Sequence, residues 1–315
     1  MKRLLSLLLL CFSIAATSAC TPPLALGEGD DPFVVELATD TLTILQLTDL
    51  HLTFGIDAGD RKTFDTITRL VSSQPFDLVV LSGDLTLSTI GPRLFARLVR
   101  HMESLKTPWT FVFGNHETDF HDHSDYLERI KETEYLLFQP GPNLEDGGVG
   151  NFRIQFNRGG VPFYVAYFLD SHAEREAFTS EEGEYDYLKT SQVDWYANHV
   201  ATDAVDSVVY MHIPLRQMID PAAYDGTFLE DKVYAQGVDT GFFAAMLAGG
   251  KSKAAFFGHD HLNDFTMIVD GILLGYGRIT GHNAYGYLER GGRVFHVDAS
   301  GVFDTYVILE SEVGQ

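Results

Sequence analysis

Residues 109–117 read Trp-Thr-Phe-Val-Phe-Gly-Asn-His-Glu. The aromatic and β-branched run Trp109 to Phe113 predicts a buried strand. Gly114 permits a sharp turn. Asn115 and His116 then fall where an open α/β sheet presents ligand-binding groups, just beyond the carboxyl end of a strand. An amide oxygen beside an imidazole at that place suggests a metal or phosphate site. The same residues also suit an ordinary turn, so other strand ends must supply partners.

The punctuation recurs on both sides of this stretch. Thr41 to Leu47 is β-rich and ends in Thr48-Asp49-Leu50-His51. Asp77 to Leu81 ends in Ser82-Gly83-Asp84. Ser207 to Met211 ends in His212-Ile213-Pro214, and Ala254 to Phe257 ends in Gly258-His259-Asp260-His261. Phe64 to Ser72 and Arg93 to Leu105 carry apolar residues at helical spacing between the early strands. The order β-α-β-α-β predicts an α/β fold, a sheet covered by helices. Further on, Asn151 to Phe156 and Pro162 to Leu169 predict a hairpin. The polar stretch His121 to Leu137 predicts a helix, as does Ser191 to Val200 with Ser191 as its N-cap. Phe242, Phe243 and Met246 share a helical face that suits a core. The strand-rich remainder after Asp264 predicts antiparallel pairing late in the fold. No repeat, low-complexity stretch or linker interrupts residues 33–315, which read as one domain.

Five predicted strands thus end in candidate ligands: Asp49 with His51, Asp84, Asn115 with His116, His212, and His259 with His261. Singly, each has a plain structural explanation. Asp49 and His51 share a side of an extended segment because the strand period is two, and such pairs are common on surfaces. Together they place two Asp, one Asn oxygen and four His at one sheet edge. This N/O set without thiolate suits Fe, Zn, Mn or Co better than Mg or Ca. Seven ligands exceed the needs of one ion, so two divalent or mixed-valence transition metals are expected, bridged by one carboxylate. Two such cations clamp a phosphoryl group and generate a hydroxide that attacks phosphorus in line.

The ordered set Asp49-x-His51, Gly83-Asp84, Gly114-Asn115-His116-Glu117, His212 and Gly258-His259-Asp260-His261 resembles the calcineurin-like metallophosphoesterase family. The resemblance covers the chain after its N-terminal segment. It implies a four-layer α/β/β/α sandwich with two metals at the sheet edge. It further implies that Asp49, His51 and His261 bind one metal, that Asn115, His212 and His259 bind the other, and that Asp84 bridges them. His116 is then no ligand but lies over the phosphate, as proton donor or transition-state stabiliser. Gly141-Pro142, Phe168-Leu169-Asp170-Ser171 and the run His259 to Phe265 are similar to a branch of small plant purple-acid-phosphatase-like proteins and fungal phosphatases. True purple acid phosphatases have an iron-binding Tyr three residues after the bridging Asp. Leu87 stands there in this chain, so neither the colour nor an Fe(III) assignment carries over. The implied activity is phosphomonoester hydrolysis. A phosphodiesterase or nucleotide pyrophosphatase on the same metals, and a non-catalytic metal-bound scaffold, are the alternatives.

The N-terminus bears on location. Lys2 and Arg3, the apolar run Leu4 to Ala16 and the small residues Thr17-Ser18-Ala19 make residues 1–19 a signal peptide. Small residues before Cys20 resemble a bacterial lipoprotein signal, with Cys20 lipidated, although Thr17 stands where that signal usually has Leu. A plain signal peptide cut nearby is the alternative. The apolar run is too short to span a membrane, so contact with membrane is expected through a lipid anchor only. Residues 20–32 read as the lipidated Cys and a flexible tether. The expected setting is a bacterial lipoprotein facing the periplasm or the cell exterior. The only cysteines are Cys11 and Cys20, which excludes a disulfide framework or thiol chemistry from the domain.

The net charge of −22, from 44 acidic and 22 basic residues, disfavours nucleic acid as a partner. A phosphate-ester substrate must be attracted by charge that bound metals supply. His121 and His123 read as exposed members of a polar segment, Glu117 as structural, and Asp170 as a turn cap or support to the ligands. Tyr285, Tyr287 and His282 lie in a Gly-rich stretch that either contacts substrate or packs as a loop.

Overall fold

The computed structural model describes residues 29–314. Strands β1 (Phe33–Glu36), β5 (Phe152–Arg158), β6 (Val161–Phe168), β7 (Ser207–Tyr210), β8 (Ser252–Phe257), β10 (Ile272–Tyr276) and β9 (Thr266–Val269) form one sheet in the order β1-β5-β6-β7-β8-β10-β9. The second sheet runs β12 (Phe303–Leu309), β11 (Gly291–Val297), β2 (Leu42–Leu47), β3 (Leu78–Ser82) and β4 (Trp109–Val112). Helices α1 (Ala58–Val71) and α2 (Gly91–Leu105) cover the five-stranded sheet, with α3 (His123–Leu127) packed on α2. Helices α4 (Thr190–Val200) and α5 (Phe242–Gly249) cover the seven-stranded one. The order of layers is the expected α/β/β/α.

Strand periodicity builds the layers. Along β6, Tyr164, Ala166 and Phe168 join the core shared with the five-stranded sheet, whereas Val165 and Tyr167 join the core beneath α4 and α5. A strand buried on both faces must be apolar throughout; β3, Leu-Val-Val-Leu-Ser, is buried at every position. Aromatic contacts join the sheets: the rings of Phe256 on β8 and Phe295 on β11 lie 5.7 Å apart. Pairs of this kind contribute about 0.5–1.5 kcal/mol beyond area burial.

Strands β2, β3 and β4 run parallel, as do β6, β7 and β8. Their carboxyl ends meet at one edge of the sandwich. There Gln46 Nε2 donates to Ser82 Oγ at 2.8 Å and to the Phe257 carbonyl at 2.9 Å, fastening the two sheets together beneath the ligand loops. The hairpin β5–β6 and the late antiparallel pairs β9–β10 and β11–β12 follow the sequence reading.

Four expectations change. The stretch His121 to Leu137 is helical only over His123–Leu127. Its latter part instead runs along the open edge of β4, where Trp109 N donates to the Tyr135 carbonyl and Leu137 N to the Trp109 carbonyl. An unpaired strand edge is thereby covered. Ser191 is not the cap of α4, because its hydroxyl donates to the Glu145 carbonyl. Gln192 Oε1 accepts the Lys189 N–H at the helix start instead. Strand β1, which the sequence reading left without an element, pairs parallel with β5. Finally, Asp30, within the predicted tether, accepts hydrogen bonds from Trp195 Nε1 at 2.7 Å and pairs with His199 Nε2 at 2.7 Å. The last part of that segment is docked on α4. Residues 1–28, including Cys11 and Cys20, lie outside the described residues.

Candidate metal centre

Every predicted ligand lies on a loop directly beyond a strand, and all seven are buried. Four of them hold backbone conformations that L-residues rarely adopt: Asp49 at φ 55°, His51 at 44°, Asp84 at 51° and His259 at 81°. Positive φ at non-glycine residues costs on the order of 1–3 kcal/mol each and clusters at functional sites. The neighbouring glycines make room for this crowding. A Cβ on Gly83 (φ 95°) would lie 2.6 Å from His212 Cγ, and one on Gly114 would overlap the Asp84 side chain.

The potential ligand atoms fall into two groups. Asp49, His51, Asp84 and His261 form one, and Asp84, His212 and His259 the other, each with its atoms within 4.8 Å of one another. Asp84 belongs to both. Its Oδ2 lies 3.3 Å from His51 Nε2 and 3.3 Å from His212 Nε2. Asp49 Oδ1 lies 3.3 Å from His261 Nε2. Asn115 joins the second group, its Oδ1 at 3.1 Å from His212 Nε2 and 2.9 Å from His259 Nδ1. The amide orientation is fixed because Asn115 Nδ2 donates to Glu174 Oε1 at 3.0 Å.

This donor set fits metal ions. His212 Nδ1 donates to the Ser82 carbonyl at 2.8 Å. In the neutral ring that bond leaves Nε2 as a lone pair, which faces the oxygens of Asp84 and Asn115. Three acceptors converging on one point require a cation between them, either a proton or a metal. With protons alone, burial opposes charging His212, but Asp84 and Asp49 outweigh it and push the ring up to about 10. For His259 burial wins, with His212 adding to it, and the ring falls to about 3. Burial likewise opposes ionising Asp49, yet His261 and His212 hold its carboxyl at about 2. Asp84 is held well below the usual carboxylate range by His212 and His51 against its burial. Without metal the site thus holds two ionised carboxylates, neutral His51 and His259, and one proton on His212 that a metal ion would displace.

His116 differs from the rest. It is half-buried at the cavity mouth, and its Nε2 lies 4.0 Å from Asp84 Oδ2. Its Nδ1 is 2.8 Å from Asp119 Oδ2, which orients the ring. Burial opposes charging it, but Asp84 and Asp119 outweigh burial and raise it above the ordinary imidazole value. Glu117 is structural, as read: its carboxylate accepts Thr86 N at 2.9 Å and Gly114 N at 2.8 Å, locking the turn. Burial and the adjacent Asp84 push it up to about 7. Asp170 caps a turn, accepting from Val149 N and His172 N.

The expectation that His121 and His123 are exposed is corrected. His123 stacks on Phe113 with ring centroids 4.2 Å apart, and His121 Nε2 bonds the Thr89 carbonyl. His282 packs against Thr66 and Glu310 away from the ligands. Tyr287 is exposed. Tyr285 does reach the site and stacks on His261 at 4.0 Å.

Several residues that support the site carry little signal in the sequence. Asp119 was visible in principle, because a 3₁₀ turn over His116–Thr118 brings residue i+3 back to His116. Glu174, Tyr185, Glu230 and Tyr234 come from long loops whose path only tertiary pairing defines. The centre opens into a cavity of about 620 Å³ lined by His51, Asp84, His116, His259 and His261 together with Leu87, Tyr185, Glu230, Tyr234 and Tyr285. Leu87 is in the wall as an alkyl group, so no phenol occupies that position.

Comparison with known proteins agrees with this geometry. The chain is 26% identical over 305 residues to "Probable inactive purple acid phosphatase 14" of Arabidopsis thaliana, covering 81% of this chain and 74% of that protein. It is 27% identical over 270 residues to "Phosphatase DCR2" of Saccharomyces cerevisiae, covering 72% of this chain and 45% of that protein. In fold it is similar to a dimetal phosphatase from Danio rerio, with a TM-score of 0.52 at 11% identity, over 85% of this chain and 99% of that one. It is also similar to the purple acid phosphatase PPD1 of yellow lupin, with a TM-score of 0.51 at 13% identity, over 85% of this chain and 54% of that one. The family model for calcineurin-like phosphoesterases matches residues 42–263, which span all seven predicted ligands. The chain therefore belongs to the calcineurin-like phosphoesterase family and is a metal-dependent phosphoester hydrolase with a buried Asp/His dimetal site.

Proposed function

We propose that the protein is an exported phosphomonoesterase. The observation that carries the reading is the sharing of Asp84 by two buried ligand groups, with His116 poised above it. Asp49, His51 and His261 would hold the first metal, Asn115, His212 and His259 the second, and Asp84 is placed to serve both. Two cations bound there would supply charge to clamp a phosphoryl group and lower the pKa of a water. The protein's own groups do the rest. Glu174 holds the Asn115 amide oxygen toward the second site. Asp119 holds His116 Nδ1, so that Nε2 faces the cavity and can donate a proton to the departing alcohol. Glu117 keeps the Gly114 turn closed beneath them.

The monoester preference draws support from relatives named as phosphatases. The word "inactive" in the names of three Arabidopsis relatives favours a second reading, a metal-bound scaffold without activity. Hydrolysis of p-nitrophenyl phosphate and bis(p-nitrophenyl) phosphate by the purified protein, with metal content measured on the same sample, separates these. The monoester should be cleaved at a higher specificity constant, with two metals per chain. Preference for the diester would make it a phosphodiesterase, and two metals without turnover would make it a scaffold. The signal peptide, the Cys20 lipid and the periplasmic or external location belong to the same proposal. Cys20→Ser should release the protein from membranes, and retention there would refute the anchor.

A further inference from the structure

Away from the ligands, the cavity wall includes Leu87, Tyr185, Glu230, Tyr234, Asp260 and Tyr285, and among the described residues no Lys or Arg lines it. Of its two carboxyl groups, Asp260 is buried and accepts from the Tyr276 hydroxyl and Tyr234 N, which leaves Glu230 as the outer one. Its Oε1 accepts the Tyr285 hydroxyl at 2.6 Å and the Leu262 N–H at 3.2 Å. Its Oε2 has no hydrogen-bond partner among the described residues. Lys232 lies 4.5 Å from the Tyr234 ring centre but lines the neighbouring cavity, not this one. The Tyr285 ring stacks on His261, and the Tyr185 ring stands edge-on to His259 at 4.2 Å. Phenol rings therefore lead from the ligand imidazoles outward to a carboxylate.

Such a wall sorts phosphate esters by the charge on their alcohol portion. A second phosphate or a carboxylate would meet Glu230 with no basic side chain lining the cavity among the described residues, and like charges at close range are costly in a partly dry cavity. A cation would find a carboxylate and aromatic faces together, the combination that recognises ammonium groups. The volume suits a small ligand. Resting on the function proposed above, we propose that the preferred substrate is the phosphomonoester of an amino alcohol. Its ammonium group sits against Glu230 and the ring of Tyr285. Hydrolysis breaks the ester P–O bond and joins the oxygen of water to phosphorus. The alcohol oxygen takes up a proton, giving inorganic phosphate and the free amino alcohol.

The test compares three esters on the metal-loaded protein: choline phosphate, its uncharged isostere 3,3-dimethylbutyl phosphate, and 3-phosphoglycerate. Choline phosphate should exceed the isostere by about 10-fold in kcat/KM, the scale of a partly desolvated ammonium–aromatic contact. The carboxylate-bearing ester should be the poorest. In Glu230→Gln the preference for choline phosphate over the isostere should fall to within about 3-fold, mainly through KM. Calorimetry supplies a readout apart from turnover: free choline should bind the metal-loaded protein about 10-fold more weakly after Glu230→Gln. Equal or better use of the isostere, or a ratio and a choline affinity untouched by Glu230→Gln, would overturn the inference. Failure to cleave p-nitrophenyl phosphate would defeat the proposed function instead, and choline calorimetry would still decide whether Glu230 recognises a cation.

Discussion

Replacing Asp84 with Ala should empty both metal sites, whereas His212→Ala should empty one. The asymmetry follows from position. Asp84 Oδ2 is 3.3 Å from a ligand nitrogen of each group, and His212 belongs only to the second. A ligand present at a thousand times its dissociation constant stabilises the folded state by about 4 kcal/mol, so two ions contribute roughly 8 kcal/mol. For a chain of this size, 1 kcal/mol corresponds to about 2–4 °C in Tm, which makes the full effect about 20 °C. Chelation should therefore lower the Tm of the unsubstituted protein by about 20 °C, that of His212→Ala by about half as much, and that of Asp84→Ala hardly at all. A second sign separates lost metal from lost packing. Without metal, His212 and His51 hold Asp84 ionised against its burial, and Asp84 in turn holds His212 charged. Asp84→Ala also removes that ion pair, so the chelated variant should be less stable than the chelated parent, and the difference between metal-loaded and chelated Tm is what reports metal. Elemental analysis gives metals per chain, and thermal unfolding with and without chelator gives the shifts. Two metals retained in Asp84→Ala, or an equal chelator shift in all three proteins, would refute the shared-carboxylate reading.

Other substitutions probe other links. His116→Ala should lower kcat by roughly 10²-fold or more while leaving two metals per chain, checked by steady-state kinetics with elemental analysis; an undiminished rate would remove His116 from the chemistry. Gly83→Ala places a Cβ against His212 at a residue with φ 95°. It should cost about 1–3 kcal/mol in denaturant unfolding and weaken the second metal specifically. His101, on α2, rests against Phe64 with ring centroids 4.8 Å apart, and burial lowers its pKa below 6.5, with Arg97 adding to the effect. The unfolded chain then takes up a proton near pH 6.5 that the folded chain refuses until lower pH. Stability should fall as pH drops through that window, and His101→Gln should flatten that part of the Tm–pH curve relative to the parent.

The candidate ligands were legible as a cluster because parallel strands of both sheets end at one edge of the sandwich. Residues just beyond β2, β3, β4, β7 and β8 needed no knowledge of tertiary structure beyond the common direction of those strands. The amphipathic helices were legible for a similar reason: Leu94, Phe95, Leu98 and Met102 bury one face of α2 whatever lies beneath it. The segment His121 to Leu137 was not legible, because its apolar residues answer two separate demands. Tyr126 packs against Phe95 and Phe113. The residues around Leu136 fasten the edge of β4. Neither demand has a helical period, and polar residues between them imitated an exposed helix.

The same distinction explains why the chemistry could be read and the substrate could not. Metal ligation needs few residue types at strand ends, a pattern close to the backbone. The outer wall is built from side chains far apart in the chain, held by contacts such as the Glu174–Tyr185 and Phe228–Asn263 bridges. Glu230 and Tyr285 are 55 residues apart yet share a hydrogen bond. No local pattern announces that meeting, but it decides which charge the cavity offers an incoming ester. Leu87 shows the two scales together. Its identity in sequence excludes a tyrosinate ligand, and its place in the cavity wall gives the excluded ligand's position an apolar surface instead. On the proposed reading specificity therefore rests on loop residues and not on the ligands themselves, because Glu230 bonds Tyr285 and Leu262 N, neither of them a ligand.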